Sequence, residues 1–166
     1  MTGTPITAVI GVRHDGPLTW YLRRSMRMAN YPGVWSLPSI QFAPEDLPDI
    51  ADLDRVSAHF ARLSAERLGD VPVTVRRHLT SGTSDMNPMG VDVTLHLYLI
   101  DLPREPVLDP AFYLEADWLS AADYEERSAG QPCGLCTRLW GDFAWACGIT
   151  DRPFLARPHQ SHAEPA

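Results

Sequence analysis

Lysine is absent from this chain of 166 residues; all 14 basic residues are arginine. That excludes a Schiff base, a pyridoxal-phosphate lysine and a phosphate-loop lysine. It leaves the planar, permanently charged guanidinium, which suits bidentate recognition of phosphate and carboxylate groups. Positive charge is also the minority sign, 14 arginines against 21 acids for a net charge of -7. A nucleic-acid partner needs a basic field, so none is expected, whereas a local arginine cluster still serves a small anionic ligand. Cysteine is scarce and odd in number, 3 in all, with no secretory leader in front. That points to a reducing, cytoplasmic setting and not to a disulfide framework. Long apolar runs are missing too. MTGTPITAVIGV has no basic stretch before its short apolar run, and nothing approaches the roughly 20 apolar residues of a membrane span. No membrane partner is expected.

What is present is ordinary globular material, 45% hydrophobic and 21% charged, enough to bury about two-thirds of the unfolded chain's surface. One domain is expected over residues 1–156, with a polar, proline-containing tail at 157–166. Residues 6–13 read as a strand, His14-Asp15-Gly16-Pro17 as a turn, and Leu18, Trp20 and Leu22 alternate with Thr19, Tyr21 and Arg23 as a half-buried strand, together a β-hairpin. Residues 24–34 read as a loop, Val34 to Leu37 as a short apolar piece, and 39–49 as a connection. A helix capped by Asp49 or Asp52 carries Leu53, Val56, Phe60 and Leu63 on one face and stops at Gly69. Val71, Val73 and Val75 alternate as a strand, 80–90 is a polar loop, and Val91 to Leu99 is the cleanest strand. Tyr113 to Leu119 is a further strand, and Ser120 opens a short helix. Pro132 suits the first turn of a last helix whose apolar face is Cys136, Leu139, Trp140, Phe143 and Cys147. The pattern predicts an α/β (α+β) sandwich with a mixed sheet.

Three segments carry a resemblance. Tyr31-Pro32-Gly33-Val34-Trp35-Ser36-Leu37-Pro38 resembles the approach to the signature box of the Nudix superfamily. Arg62-Leu63-Ser64-Ala65-Glu66-Arg67-Leu68-Gly69 falls where that box reads R-E-hydrophobic-x-E-E-x-G. Glu115-Ala116-Asp117-Trp118-Leu119-Ser120 is similar to the segment that opens the family's late helix. Order and spacing agree across roughly residues 6–147. The resemblance implies a Nudix-like α/β/α sandwich and a magnesium-dependent hydrolase of a nucleoside diphosphate linked to another moiety. There the box helix holds divalent cations with several carboxylates, and the metals polarise phosphoryl oxygens and activate water. It also implies a homodimer.

This chain departs from the pattern at the acids. The paired glycines of the box are Ser39-Ile40, its early acid is Asp46 or Glu45, and its first and last helix glutamates are Leu63 and Arg67. The resemblance therefore assigns catalysis to Glu66, Arg62 and Asp46. Glu66 and Glu115 are the candidate magnesium ligands; Asp85, Asp92 and Asp117 are further acids within reach in sequence. The opposing reading of Arg62 and Glu66 is an i,i+4 surface pair. Arg23, Arg24 and Arg27 are candidates for phosphate binding, and Trp35 and Tyr98, with Trp20, Tyr21 and Tyr31, for stacking on a base; for Trp35 the core is the competing place. Cys133-Gly134-Leu135-Cys136 is a CxxC with three readings: core packing, a zinc site completed by His159 or His162, or redox use. Two functions follow, a divergent hydrolase and a non-catalytic module that binds a nucleotide or phosphorylated ligand. A Nudix-fold enzyme with another, biosynthetic reaction is a third.

Overall fold

A computed structural model describes residues 5–42, 49–84 and 90–153. The strands are β1 (Ile6–Val12), β2 (His14–Asp15), β3 (Leu18–Arg24), β4 (Trp35–Ser36), β5 (Ser39–Phe42), β6 (Thr74–Ser84), β7 (Val93–Asp101) and β8 (Tyr113–Leu119); the helices are α1 (Leu53–Arg67), α2 (Ala121–Arg127) and α3 (Leu135–Ala146). One sheet has the order β5-β1-β7-β6, with β1 parallel to β7 and the other pairs antiparallel. In the second, β3 pairs antiparallel with β2, β4 and β8. The sheet is mixed, as the sequence pattern predicts.

The layers follow from the period-2 alternation of the strands. Ala8, Ile10 and Val12 of β1 and Val93, Leu95 and Leu97 of β7 face one core, which Tyr124 of α2 and Trp140 and Ala144 of α3 complete. Val9, Tyr98 and Ile100 face the other, against Val56, Phe60 and Leu63 of α1. Helices thus cover both faces of the central strands. Gly11 permits the close approach of α1, since a Cβ there would stand 2.5 Å from Ile100 Cδ1 and 3.0 Å from Phe60 Cε1.

The helix boundaries have local causes. The Asp52 side chain caps α1 by accepting from Arg55 N, and Gly69, at φ +69°, takes the left-handed turn that ends it. Ser120 caps α2 in the same way through Asp123 N. Among the described residues no helix is long and apolar enough to cross a membrane.

Several sequence expectations are corrected. The hairpin is only the short β2–β3 pair; β1 leaves it to join β5 and β7. β3 is buried on both faces, Trp20 and Leu22 in one core and Tyr21 in the other, while Leu18 is exposed. The first residues of the expected connection, Ser39–Phe42, are a strand because they pair with β1. Thr80 to Ser84, expected in a loop, extend β6 along β7. Strand β6 starts only at Thr74, while Val71 packs in the core as coil. Helix α3 starts at Leu135 with Gly134 as N-cap, so Pro132 precedes it. Its buried face is Thr137, Trp140, Gly141 and Ala144, and Cys147 is exposed.

Candidate functional site

Helix α1 is where the sequence raises the question of metal chemistry. Leu63 is fully buried, in register with Val56 and Phe60. One turn on, Arg67 is drawn inward. Its guanidinium lies 4.3 Å from the centre of the Phe112 ring and its Nη1 donates to the Ser39 carbonyl at 3.3 Å. Arg62 donates from Nη2 to the Gln41 carbonyl at 3.0 Å. Two arginines of α1 therefore hold the backbone of β5. Glu66 is exposed, and its carboxylate sits 3.7 Å from Arg67 Nε, an ion pair too long for a hydrogen bond. Arg62 and Glu66 thus take different partners, and the i,i+4 pair of the opposing reading is not among the ion pairs of the described residues.

These residues do not fit a magnesium ion. Such an ion needs oxygen ligands converging on it. Here one ligand slot is core leucine, the next is a guanidinium, and Glu66 is paired to that guanidinium. Glu115, the other proposed ligand, lies on β8 opposite Arg23 in register and takes an ion pair from Arg23 Nη1 at 3.3 Å. Asp117 is likewise paired, to Arg127 Nη2 at 2.9 Å. Among the described residues no three or more of His, Cys, Asp and Glu are grouped to hold a metal. Asp46, Glu45 and Asp85 lie outside the described residues.

A cavity of about 100 Å³ opens beside β5. Its apolar floor is Ile6, Ala8, Val93 and Leu95, from the parallel strands β1 and β7. Ser39 and Gln41 of β5 form one edge, Arg24, Asn30 and Tyr31 of the β3–β4 segment another, and Gly134 to Cys136 at the start of α3 close it. Ser39 and Gln41 are also the residues whose carbonyls Arg67 and Arg62 hold, although α1 itself packs on the other face of the sheet.

Arg24 is the charged group of this cavity. Its Nε donates to the Asn30 carbonyl at 3.0 Å, which fixes the guanidinium plane. Burial pushes its pKa below the ordinary value, and Arg67 nearby acts in the same direction. An arginine stays charged regardless. Among the described residues it makes no ion pair with a carboxylate. Arg24 lines the cavity, and the planar guanidinium is a group suited to phosphate or carboxylate recognition. Arg23, its neighbour, is spent on the Gly33 carbonyl at 3.2 Å and on Glu115. Arg27 is exposed on the loop.

Of the candidate stacking rings, Tyr31 lines the cavity. It has φ +53°, in the left-handed region that a bulky residue seldom occupies. Trp35 and Tyr98 are corrected to core residues. Trp35 is 4% exposed, and Tyr98 is fully buried with its hydroxyl donating to the Ile50 carbonyl at 3.0 Å. Burial and Asp49 push the Tyr98 hydroxyl up to about 12. Trp20 and Tyr21 are buried as well. Cys133 is buried, Cys136 half-buried at the cavity and Cys147 exposed; His159 and His162 lie outside the described residues. The sequence reading missed Asn30, Ser36, Ser39 and Gln41 as cavity residues. Their only signal was proximity to the Tyr31-Pro32-Gly33 turn.

No protein-family model matches the chain, and no curated protein is similar to it. Solved structures are similar to it. A Nudix hydrolase from Nitrosomonas europaea, 13% identical, superposes over 94% of this chain and 99% of its own with a TM-score of 0.64. A MutT Nudix hydrolase from Burkholderia pseudomallei, 19% identical, covers 82% and 95% with a TM-score of 0.57. The Nudix domain of Shewanella oneidensis NrtR, complexed with ADP-ribose, is 15% identical, covers 89% of both chains and has a TM-score of 0.57. The chain has the Nudix fold.

Proposed function

We propose that this chain is a Nudix-fold module that binds a small phosphorylated, nucleotide-like ligand in the cavity beside β5, without the magnesium-dependent hydrolysis of the acidic box helix. The observation that carries this reading is Arg24, a partly buried guanidinium at a cavity with no carboxylate partner among the described residues. The apolar floor suits the body of such a ligand, Tyr31 its ring, and Arg24 its phosphate. The Nudix domain of the Shewanella oneidensis protein, complexed with ADP-ribose, supports the ligand class. The competing reading, a divergent Nudix hydrolase, rests on Glu66 and on acids outside the described residues. It has to work against Leu63 in the core and Arg67 anchored on Ser39.

The test is a screen of nucleoside diphosphates linked to other groups, ADP-ribose and UDP-linked sugars among them, read both as ligand-induced melting shifts and as product release. It is run with magnesium, with manganese and with a chelator. The expected result is a melting shift that survives the chelator, with no product. Metal-dependent turnover abolished by Glu66→Gln would establish the hydrolase instead.

In the proposed ligand set Arg24 binds the anion and Tyr31 stacks, while Arg23, paired to Glu115, and Arg27, exposed on the loop, lie outside the cavity lining. The homodimer stays part of the proposal, and light scattering on the full chain checks it.

A further inference from the structure

The CxxC has no part in the proposed ligand chemistry, yet it forms one wall of the cavity. Cys133 is 1% exposed and precedes Gly134, the extended N-cap of α3 (φ -64°, ψ 152°). Cys136 lies in the first turn, half-buried, and lines the cavity with Gly134 and Leu135. The two sulfurs have separate contacts, Cys133 Sγ donating to the Gly134 carbonyl at 3.6 Å and Cys136 Sγ lying 3.9 Å from Thr137 Oγ1. The Tyr124 hydroxyl donates to Cys133 Sγ at 3.6 Å, and the Tyr124 ring stacks on Tyr21 at 4.9 Å. The Tyr21 hydroxyl is pushed up first by its burial and then by Cys133, with Cys136 adding to it. One thiol is thus at the cavity and the other is buried, with two residues between them, Cys133 before the N-cap of α3 and Cys136 in its first turn. That is the arrangement of an attacking and a resolving cysteine. Cys147 is at the far end of α3, roughly 16 Å along the helix from Cys136, and takes no part.

We propose that Cys133 and Cys136 are a reversible dithiol–disulfide pair set in the cavity wall, oxidised by small-molecule disulfides, and that closing the bridge weakens ligand binding in the cavity. The Cys136 thiolate attacks one sulfur of an incoming disulfide and expels the other as a thiolate. The Cys133 thiolate then attacks the Cys136 sulfur of the mixed disulfide and expels the second thiolate. The two thiol protons of the protein end on the two released thiols. The cysteine pair is oxidised by two electrons, and the incoming disulfide is reduced by two. A disulfide sets its two Cβ atoms about 3.5–4.5 Å apart, and of the two cysteines Cys133 is the buried one while Cys136 lines the cavity. Closure therefore draws the Cys136 sulfur toward the core and shifts Gly134 and Leu135. The redox behaviour stands by itself, while the effect on binding rests on the reading of the cavity as a ligand site.

The test uses the full chain with Cys147→Ser, incubated with oxidised glutathione and read by intact mass and thiol alkylation. The expected product is lighter by two hydrogens, carries no glutathione, resists alkylation and reverts with dithiothreitol. Cys133→Ala in the same background is expected to keep a persistent glutathione adduct on Cys136, because nothing resolves it. If that variant fails to fold, the first protein decides alone. A persistent adduct in the protein that retains Cys133, or no reaction at Cys136, overturns the pair. ADP-ribose titrated into the reduced and oxidised forms is expected to bind the oxidised form at least tenfold more weakly. Equal affinity overturns the coupling, and no binding to either form overturns the ligand reading while the mass result still judges the pair.

Discussion

The guanidinium of Arg67 lies 4.3 Å from the centre of the Phe112 ring, and the same group donates to the Ser39 carbonyl. One side chain therefore joins the end of α1, the loop before β8 and the edge strand β5. The contact joins a cation–π interaction, about 1 kcal/mol when partly exposed, to a hydrogen bond from a charged donor, about 1.5 kcal/mol or more. Arg67→Ala is expected to lower the unfolding free energy by about 2 kcal/mol in a urea titration. Arg67→Lys should recover less than half of that, because an ammonium lacks the flat face and the fork. Full recovery by lysine would show that charge alone matters here.

Leu63 offers a sharper test of the helix. It is fully buried against Val56 and Phe60, and a carboxylate there is left without a partner. Leu63→Glu is expected to cost at least about 3 kcal/mol or to prevent folding. A Leu63→Glu, Arg67→Glu chain that folds at full stability and binds magnesium in calorimetry would refute the assignment of this position to the core.

Arg24→Gln removes the cavity's charge while leaving its shape nearly intact. Binding of a phosphorylated ligand is expected to weaken at least tenfold, since a charge-assisted hydrogen bond contributes about 1.5–3 kcal/mol. Stability should hold or rise, because a partly buried charge is relieved. Tyr31→Ala is expected to weaken binding while leaving the melting temperature near its starting value, since the half-buried ring belongs to neither core and the φ of +53° is equally unfavourable for both residues. Isothermal titration with ADP-ribose and thermal melting of both variants check these outcomes, and unchanged affinity in both would place the ligand elsewhere.

His96 gives the fold a pH dependence. Its Nδ1 lies 2.7 Å from Ser81 Oγ, which also contacts His78 Nε2 at 2.8 Å. Burial, and then His78, hold the pKa of His96 below the ordinary value of 6.5. The unfolded chain therefore takes up this proton more readily than the folded one. Stability is complete above about pH 6.5 and declines as the pH falls from there through the lower folded value. Urea titrations at pH 7.5 and pH 5.5 should show the loss, and His96→Gln should reduce the difference between them. An equal difference in the variant would assign the effect to another group.

Gly11 is held by contact and not by turn geometry. A side chain there meets Ile100 and Phe60, so Gly11→Val is expected to cost about 1–3 kcal/mol through forced displacement of α1. A melting curve unchanged from that of the parent chain would show that the helix has room to move.

The sequence by itself determined much of the layering. The stripe of Val56, Phe60 and Leu63, the stop at Gly69 and the strand from Tyr113 to Leu119 are all present as read, and of the two caps the sequence offered, Asp49 and Asp52, the helix uses Asp52. That positions 63 and 67 of the helix carry leucine and arginine and no carboxylate was also legible, since residue type alone shows it. Tertiary structure decided the rest. Ser39–Phe42 and Thr80–Ser84 are strands because neighbours far along the chain pair with them. Trp35 and Tyr98 look like stacking rings in sequence, but the packing of two cores around one sheet buries both. Arg23 and Arg24 are adjacent and chemically identical, yet Arg23 pairs with Glu115 and Arg24 lines the cavity, on either side of a register shift in the β3–β8 pairing. No local pattern separates them, because the difference lies in how β3 pairs with β8, which is remote in sequence.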